Sequence, residues 1–255
     1  MALYDSHTHL DDDRFAEDQS LVIERALAAG ITGMINIGAD MASSQKSLEL
    51  AEKYPMIYAA IGVHPHEAKS VMESDYDTLL EWAKQDKVLA IGEIGLDYYY
   101  DNSPREIQQQ VFRRQLLLAK AAKLPIIVHT RDAHGDMMAA LKAEGQGLTG
   151  IIHCYSGSLE MAKELIKKGY YLGIGGALTF KNGRKLKEIV AAVPLEALVV
   201  ETDCPYLTPH PYRGQRNEPS YVNYVVDEIA AIRAIDRSEV MAVTTNNLQN
   251  LFGIA

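Results

Sequence analysis

Short apolar runs alternate with longer amphipathic stretches along the whole chain. Leu3 to His9 reads as a first strand, and Asp11-Asp12-Asp13 leads into a helix ending at Ala29-Gly30, with Gly30 where a helix C′ residue is expected. Ile31 to Gly38 is a second strand, followed by a helix from about Ala42 to Lys53. Met56 to Val63 is a third, with a helix from about Asp75 to Gln85, and Val88 to Glu93 is a fourth, short and ending in a carboxylate. The next helix has a clear start, with Ser103 as N-cap, Pro104 at the first helical position and Glu106 at the capping-box position. It runs to about Lys123 with an apolar stripe through Ile107, Val111, Leu118 and Ala122.

Pro125 to His129 is a fifth strand, with a helix over about Ala133 to Ala143 that ends near Gly145. Thr149 to His153 is the sixth, and a helix from Ser158 to Lys168 is stopped by Gly169. Tyr170 to Ile174 is the seventh, with a shorter helix around Arg184 to Val193. Leu198 to Glu201 is the eighth, and helices near Ser220 to Arg233 and Ser238 to Leu251 close the pattern. With no Pro/Ser-rich linker or low-complexity tract, the alternation predicts one domain over residues 1–255. Continuous apolar strands such as Ile126-Ile127-Val128 belong to a parallel sheet covered on both faces. The expected fold class is therefore α/β, a (β/α)8 TIM barrel. An open doubly wound sheet would want a glycine-rich phosphate loop after its first strand, where this chain has His7-Thr8-His9-Leu10-Asp11-Asp12.

Barrel active sites form at the C-terminal ends of the strands, so the residues expected there form a test. The first strand ends in His7 and His9, the third in His64, the fourth in Glu93, the fifth in His129 and the sixth in His153, while Asp203 follows the eighth at once. Five of the chain's eight histidines thus end strands, with His66 just beyond. A single strand-end histidine is more often a satisfied polar residue than a ligand, but so many together predict a metal centre. Four imidazoles (His7, His9, His129, His153) and two carboxylates (Glu93, Asp203) exceed what one ion takes, and suit two divalent cations bridged by Glu93. Such a pair, about 3.5–4 Å apart, stabilises attacking and leaving oxygens in a hydrolysis. Asp203 is expected to ligate, to take the proton from the attacking water, or both.

Apolar content of 47% and charged content of 23% are ordinary for a soluble globular protein, and the net charge of −9 argues against a surface that binds nucleic acid or anionic membrane everywhere. There is no signal-peptide pattern and no apolar run near the length of a membrane span, and the two cysteines, Cys154 and Cys204, make no pairing framework. A cytoplasmic, soluble protein with no membrane association and no obligate protein partner is expected.

Several segments resemble the TatD family: Asp5-Ser6-His7-Thr8-His9-Leu10, Gly62-Val63-His64-Pro65-His66, Gly92-Glu93-Ile94-Gly95-Leu96-Asp97, His129-Thr130-Arg131, His153-Cys154-Tyr155-Ser156-Gly157, the stretch from Glu201 to Leu207 and Pro211 to Pro219. The resemblance runs over nearly the whole chain. It implies a barrel of the metallo-dependent (amidohydrolase-like) hydrolase type and a metal-dependent deoxyribonuclease acting as a 3′→5′ exonuclease, with DNA as substrate. Carried over residue by residue, it implies that His7, His9, Glu93 and Asp203 hold one ion and Glu93, His129 and His153 the other, with His64 beside the substrate phosphate. Tyr155 stands where Phe is frequent and Cys204 where Ala is frequent; neither is a candidate ligand.

Around this set the readings divide. Arg131, Arg213 and Arg216 are candidates to grip a phosphate backbone, against a rim salt bridge as the alternative for Arg131. Lys181, Arg184, Lys185 and Lys187 form a second basic cluster, with Lys185 and Lys187 better read as a solvated helix face. Tyr98-Tyr99-Tyr100 either stack bases or pack over the barrel mouth. Asp5 either orients an imidazole or satisfies buried backbone, Glu201 supports a neighbour, and Cys154 packs outward as a structural thiol. A hydrolase of another ester or amide, and a metal-binding protein without turnover, remain as alternatives. The metal is Mg, Mn or Zn, with imidazoles favouring the transition metals and Mg favouring oxygen.

Overall fold

A computed structural model describes residues 2–254; the outermost residues of the expected 1–255 domain lie outside the described part. Eight parallel strands follow one another in sheet order: β1 (Leu3–Thr8), β2 (Ile31–Ile37), β3 (Ile57–Ile61), β4 (Val88–Asp97), β5 (Ile126–Arg131), β6 (Gly150–Ile152), β7 (Tyr170–Ile174) and β8 (Leu198–Val200). Between and after them run α1 (Gln19–Ala28), α2 (Met41–Lys53), α3 (Glu73–Trp82), α4 (Arg105–Ala122), α5 (His134–Ala143), α6 (Leu159–Lys167), α7 (Arg184–Ala192), α8 (Val222–Arg233) and α9 (Arg237–Phe252). At the far end of the order, Thr8 forms a parallel bridge with Cys204 just past β8, so the last strand returns to the first. This is the (β/α)8 barrel that the alternation predicts. Among the described residues no helix is long and apolar enough to cross a membrane.

By contacts the chain divides into two compact units, one from Met1–Asn36 with Cys154–Ala255 and one from Ile37–His153. In the first, β7 pairs with β8 and β1 with β2, over a core that includes Leu3, Ile31, Leu172, Val199 and Ile229. In the second, β3, β4, β5 and β6 pair in succession, and Ile61, Ile91, Ile127 and Ile152 are fully buried. Strands buried on both faces explain why these segments read as continuous apolar runs.

Two expectations about the second unit change. β4 does not stop at Glu93 but continues to Asp97, and all ten of its residues are buried. The extension pairs Ile94, Gly95, Leu96 and Asp97 with Val128, His129, Thr130 and Arg131 of β5. Ser103 is not the cap of α4: Pro104 is the N-cap, while the Ser103 hydroxyl donates to the His66 carbonyl (2.7 Å) and accepts from the Lys69 amide (3.1 Å). The buried face of α4 is also more polar than its apolar stripe. Ile107 and Ala122 are only partly covered, whereas Gln108 and Gln115 are buried. Gln115 accepts from Val63 N (2.7 Å) and donates to Val63 O (2.9 Å), and Gln108 does the same for Asp97 (2.8 and 3.0 Å). Each amide takes the place of a missing neighbouring strand where the ladder runs out, one residue before His64 and at the last residue of β4.

Gly95 is required where β4 passes β5. Its φ is +147°, and a Cβ there would lie 1.9 Å from the carbonyl oxygen of His129. Gly95→Ala is expected to destabilise the protein by about 2 kcal/mol or more, combining backbone strain with overpacking. An unchanged midpoint in urea unfolding would contradict the close approach.

Candidate metal centre

In the first unit, the ladder between β1 and the end of β8 places three candidate ligands. Asp203 N donates to His7 O and His9 N donates to Cys204 O, both at 2.9 Å. The side chains converge as a result: His7 Nε2 lies 3.2 Å from His9 Nε2, and Asp203 Oδ1 is 3.7 Å from the first and 3.5 Å from the second. Asp203 holds this place with φ of +56°, a left-handed conformation that Asp tolerates better than most residues.

Asp5 lies beneath this group, fully buried, and its role resolves towards the backbone. It accepts from His7 N (3.2 Å), Thr202 N (2.9 Å) and Thr202 Oγ1 (2.6 Å). Burial pushes its carboxyl up to about 8, against the lowering effect of the Thr202 bonds. Asp5 thus fastens the start of the chain to a residue 197 positions later. Glu201 is also a support: its Oε1 accepts the Cys154 amide at 2.6 Å, and its side chain fills the space over Gly173, where a Cβ would lie 2.3 Å from Oε2. Cys204 is wholly buried and its thiol is pushed up by burial, whereas Cys154 is only half-buried and lines a cavity of about 250 Å³ with Tyr155, Gly175, Phe180 and Lys185.

In the second unit the centre of the arrangement is one carboxylate oxygen. Glu93 Oε1 lies 2.9 Å from His129 Nδ1, 3.2 Å from His153 Nε2 and 3.8 Å from His64 Nε2, on a side chain only 5% exposed. Ligand atoms of His64, Glu93 and His129 all fall within 4.8 Å of one another. Nitrogen and carboxylate oxygen at this spacing are suitable donors for a divalent cation, so the residues fit a metal.

Asp97, which the strand pattern passed over, organises these rings. Its Oδ2 accepts from His129 Nε2 (3.1 Å) and His66 Nε2 (3.0 Å), and its Oδ1 accepts the amides of Tyr99 (3.0 Å) and Tyr100 (2.9 Å). Burial alone would raise this carboxyl, but the His129, Tyr100 and His66 bonds hold it well below the usual range. Burial alone would likewise lower His129, but Asp97 and Glu93 outweigh it and raise the imidazole pKa. With Nε2–H given to Asp97, His129 turns Nδ1 towards Glu93, which is the usual carboxylate–histidine bracing of a metal ligand. His64 differs. Burial and then the nearby His129 push it well below its ordinary value, and its Nδ1 accepts the His66 amide at 3.2 Å. It is therefore neutral at physiological pH, with its proton on Nε2, facing the carboxylate.

The three candidate arginines are held in different ways. Arg216 is committed to Asp18 through a two-pronged pair (2.7 and 2.7 Å) and to the Arg14 carbonyl. The following residues continue the same fastening: Asn217 donates to the carbonyls of Thr202 (2.8 Å) and Tyr206 (2.6 Å), and Glu218 pairs with Arg25 at 2.7 Å. The segment thus clamps the loop after β8 onto α1. Arg213 is exposed, with its guanidinium 3.8 Å from the Phe180 ring, and Arg131 is exposed over Tyr99 and Tyr100. Lys187 pairs with Glu228 and Arg184 with Glu188, in keeping with a solvated face.

Two outcomes follow for these contacts. Asp97→Asn is expected to weaken divalent-metal affinity by about tenfold or more, as loss of such bracing generally does, without unfolding; a metal titration monitored beside far-UV circular dichroism checks it. Asp18 is held down to about 2, first by Arg216 and then by Arg25. A depressed carboxyl stabilises above its unfolded value near 3.8 and loses that contribution as pH falls towards 2. Asp18→Asn should therefore cost at most about 1 kcal/mol at neutral pH, given its partial exposure, and the gap from the parent should close between pH 4 and 2 in urea unfolding.

The chain matches the TatD related DNase family over residues 4–253. It is 47% identical over 253 residues to the uncharacterized metal-dependent hydrolase YabD of Bacillus subtilis, covering 99% of both chains. It is 36% identical over 259 residues to the 3′-5′ ssDNA/RNA exonuclease TatD of Salmonella typhimurium, again covering 99% of both. Among solved structures it resembles YJJV, a TatD homolog from Escherichia coli, with a TM-score of 0.93, 32% identity and coverage of 99% of this chain and 98% of that one. The chain belongs to the TatD-related DNase family of metal-dependent hydrolases.

Proposed function

We propose that this hydrolase is a nuclease that removes nucleotides from the 3′ end of single-stranded DNA, acting as one functional domain over residues 1–255. The observation that carries the reading is the crowding of His64, His129 and His153 around Glu93 Oε1. A buried carboxylate oxygen with nitrogen donors at this spacing suits a divalent cation. The match of residues 4–253 to a single family model and the activity named for the Salmonella relative support the choice of substrate.

On this reading His7, His9, Glu93 and Asp203 hold one divalent cation and Glu93, His129 and His153 the other, each Mg, Mn or Zn. When bound, the pair supplies electrostatic stabilisation of the phosphoryl oxygens and of the attacking water. The protein's own groups do the rest. Asp203 accepts the proton that the water gives up. Neutral His64 donates Nε2–H to a phosphoryl oxygen, which orients the diester and offsets charge as it develops. Arg131 and Arg213 engage neighbouring phosphates, and Arg216, already neutralised by Asp18, contributes by holding the loop that carries Arg213. The protein works without an obligate partner and in the cytoplasm, a setting in keeping with two cysteines that form no disulfide.

Glu93→Ala is expected to leave a folded protein whose cleavage of 5′-labelled single-stranded DNA falls by about a thousandfold or more, with metal binding reduced in parallel. Normal nuclease activity in that variant would refute the mechanism. Inertness of the parent towards DNA, together with turnover of small esters, would move the substrate class instead.

A further inference from the structure

The loop that follows β4 carries two aromatic rings that the fold does not bury. Tyr99 is 58% exposed and Tyr100 54%, on a rim where ring packing over the core would leave them covered. They stand at right angles, with centroids 4.9 Å apart and an interplanar angle of 89°. The guanidinium of Arg131 lies 3.9 Å from the Tyr99 ring and 4.8 Å from that of Tyr100. Among the described residues no carboxylate pairs with Arg131, whereas Arg105, the first residue of α4, is taken by Asp101 at 2.7 Å. A guanidinium lying over a ring has its faces occupied but its N–H edge free, and that edge is what a phosphate accepts from.

The backbone that carries these side chains is fixed in place. The Tyr99 and Tyr100 amides donate to Asp97, Tyr98 N donates to Arg131 O at 2.9 Å, and the Tyr98 hydroxyl donates to Asp136 at 2.7 Å. Tyr100 meets His66 edge-on at 5.4 Å, and His66 shares Asp97 with His129. The aromatic group therefore begins where the candidate ligands end, on a loop whose backbone has little left to order.

We propose that Tyr99, Tyr100 and Arg131 form a stacking platform for single-stranded nucleic acid, with the tyrosine rings taking bases and the Arg131 edge taking a phosphate between them. The inference rests on the nuclease reading above and adds to it where the strand lies outside the metal centre. Rings and cation in alternation match a polymer of planar bases and anionic phosphates. Asp97 serves as a positioning residue for the platform, since it holds both tyrosine amides.

The test compares two single-stranded oligodeoxynucleotides of equal length, one with ordinary bases and one with abasic spacers in its 3′ half. Base stacking on aromatic side chains is generally strong enough for roughly tenfold tighter binding per base. The parent is expected to show a KM at least about tenfold lower for the base-bearing strand. The Tyr99→Ala/Tyr100→Ala variant should lose that preference, and Tyr99→Phe/Tyr100→Phe should keep it, because phenyl rings stack as well. Arg131→Gln should flatten the dependence of log KM on log salt by about one unit without erasing the base preference. A preference that survives in the alanine variant, or a parent that never shows one while still degrading DNA, overturns the platform and leaves the nuclease reading standing. A parent that degrades neither strand overturns both.

Discussion

A carboxylate buried at the side of β4 sets the terms for the second unit. Glu93 is 4% exposed, and an ionised carboxylate so placed is costly unless something positive or proton-bearing faces it. Three imidazoles gather around one of its oxygens. His64 lies three residues past the end of β3, His129 lies within β5 and His153 directly follows β6. The buried glutamines of α4 cap β3 and β4 where those strands outrun their hydrogen-bonding neighbours.

The first unit meets a related demand by the opposite means. Asp5 is wholly buried, and burial drives its carboxyl up to about 8. Its work is to receive two amides and a hydroxyl and tie β1 to Thr202. The two buried acids differ in their partners: imidazoles for Glu93, backbone and a hydroxyl for Asp5. The side chain between these roles is Asp97. One oxygen braces the rings of His66 and His129 and the other fixes the next loop, so a shift in that loop and a shift in His129 are mechanically one event.

Periodicity and breakers were enough to read the eight strands, their order and the histidines at their ends, because burial on both faces and strand-end polarity both leave marks in one dimension. What could not be read was contact between distant segments. β4 runs on to Asp97 because β5 offers it a partner there, and Glu93, a polar residue, looked like its natural stop. Ser103-Pro104 carried a cap signature, yet the hydroxyl went to His66. Gln108 and Gln115 are buried on α4 because they meet the backbones of Asp97 and Val63, contacts that an apolar stripe does not reveal. Arg216 looked like a phosphate ligand because the sequence could not show Asp18, 198 residues away, already in its fork. The signal that could have found Asp97 was present: a carboxylate four residues after Glu93, in the same motif, with Gly95 between them to let the strand pass.

How a chain of net charge −9 handles a polyanion then becomes a question of which cations are unspent. Arg14, Arg25, Arg105 and Arg216 are each matched to a carboxylate, and an arginine so neutralised adds little field beyond its pair. Arg131 lies over aromatic rings, Arg213 lies against Phe180 and donates to Thr208 O at 3.0 Å, and among the described residues neither is paired with a carboxylate. At physiological salt the general repulsion from the acidic surface is screened within about 8 Å, so two positioned guanidiniums decide the local sign. Two contacts release few counterions, too few to hold a strand by charge alone. The remainder of the binding has to come from contacts that do not depend on charge, and exposed tyrosines beside one of those guanidiniums are the groups placed to supply it.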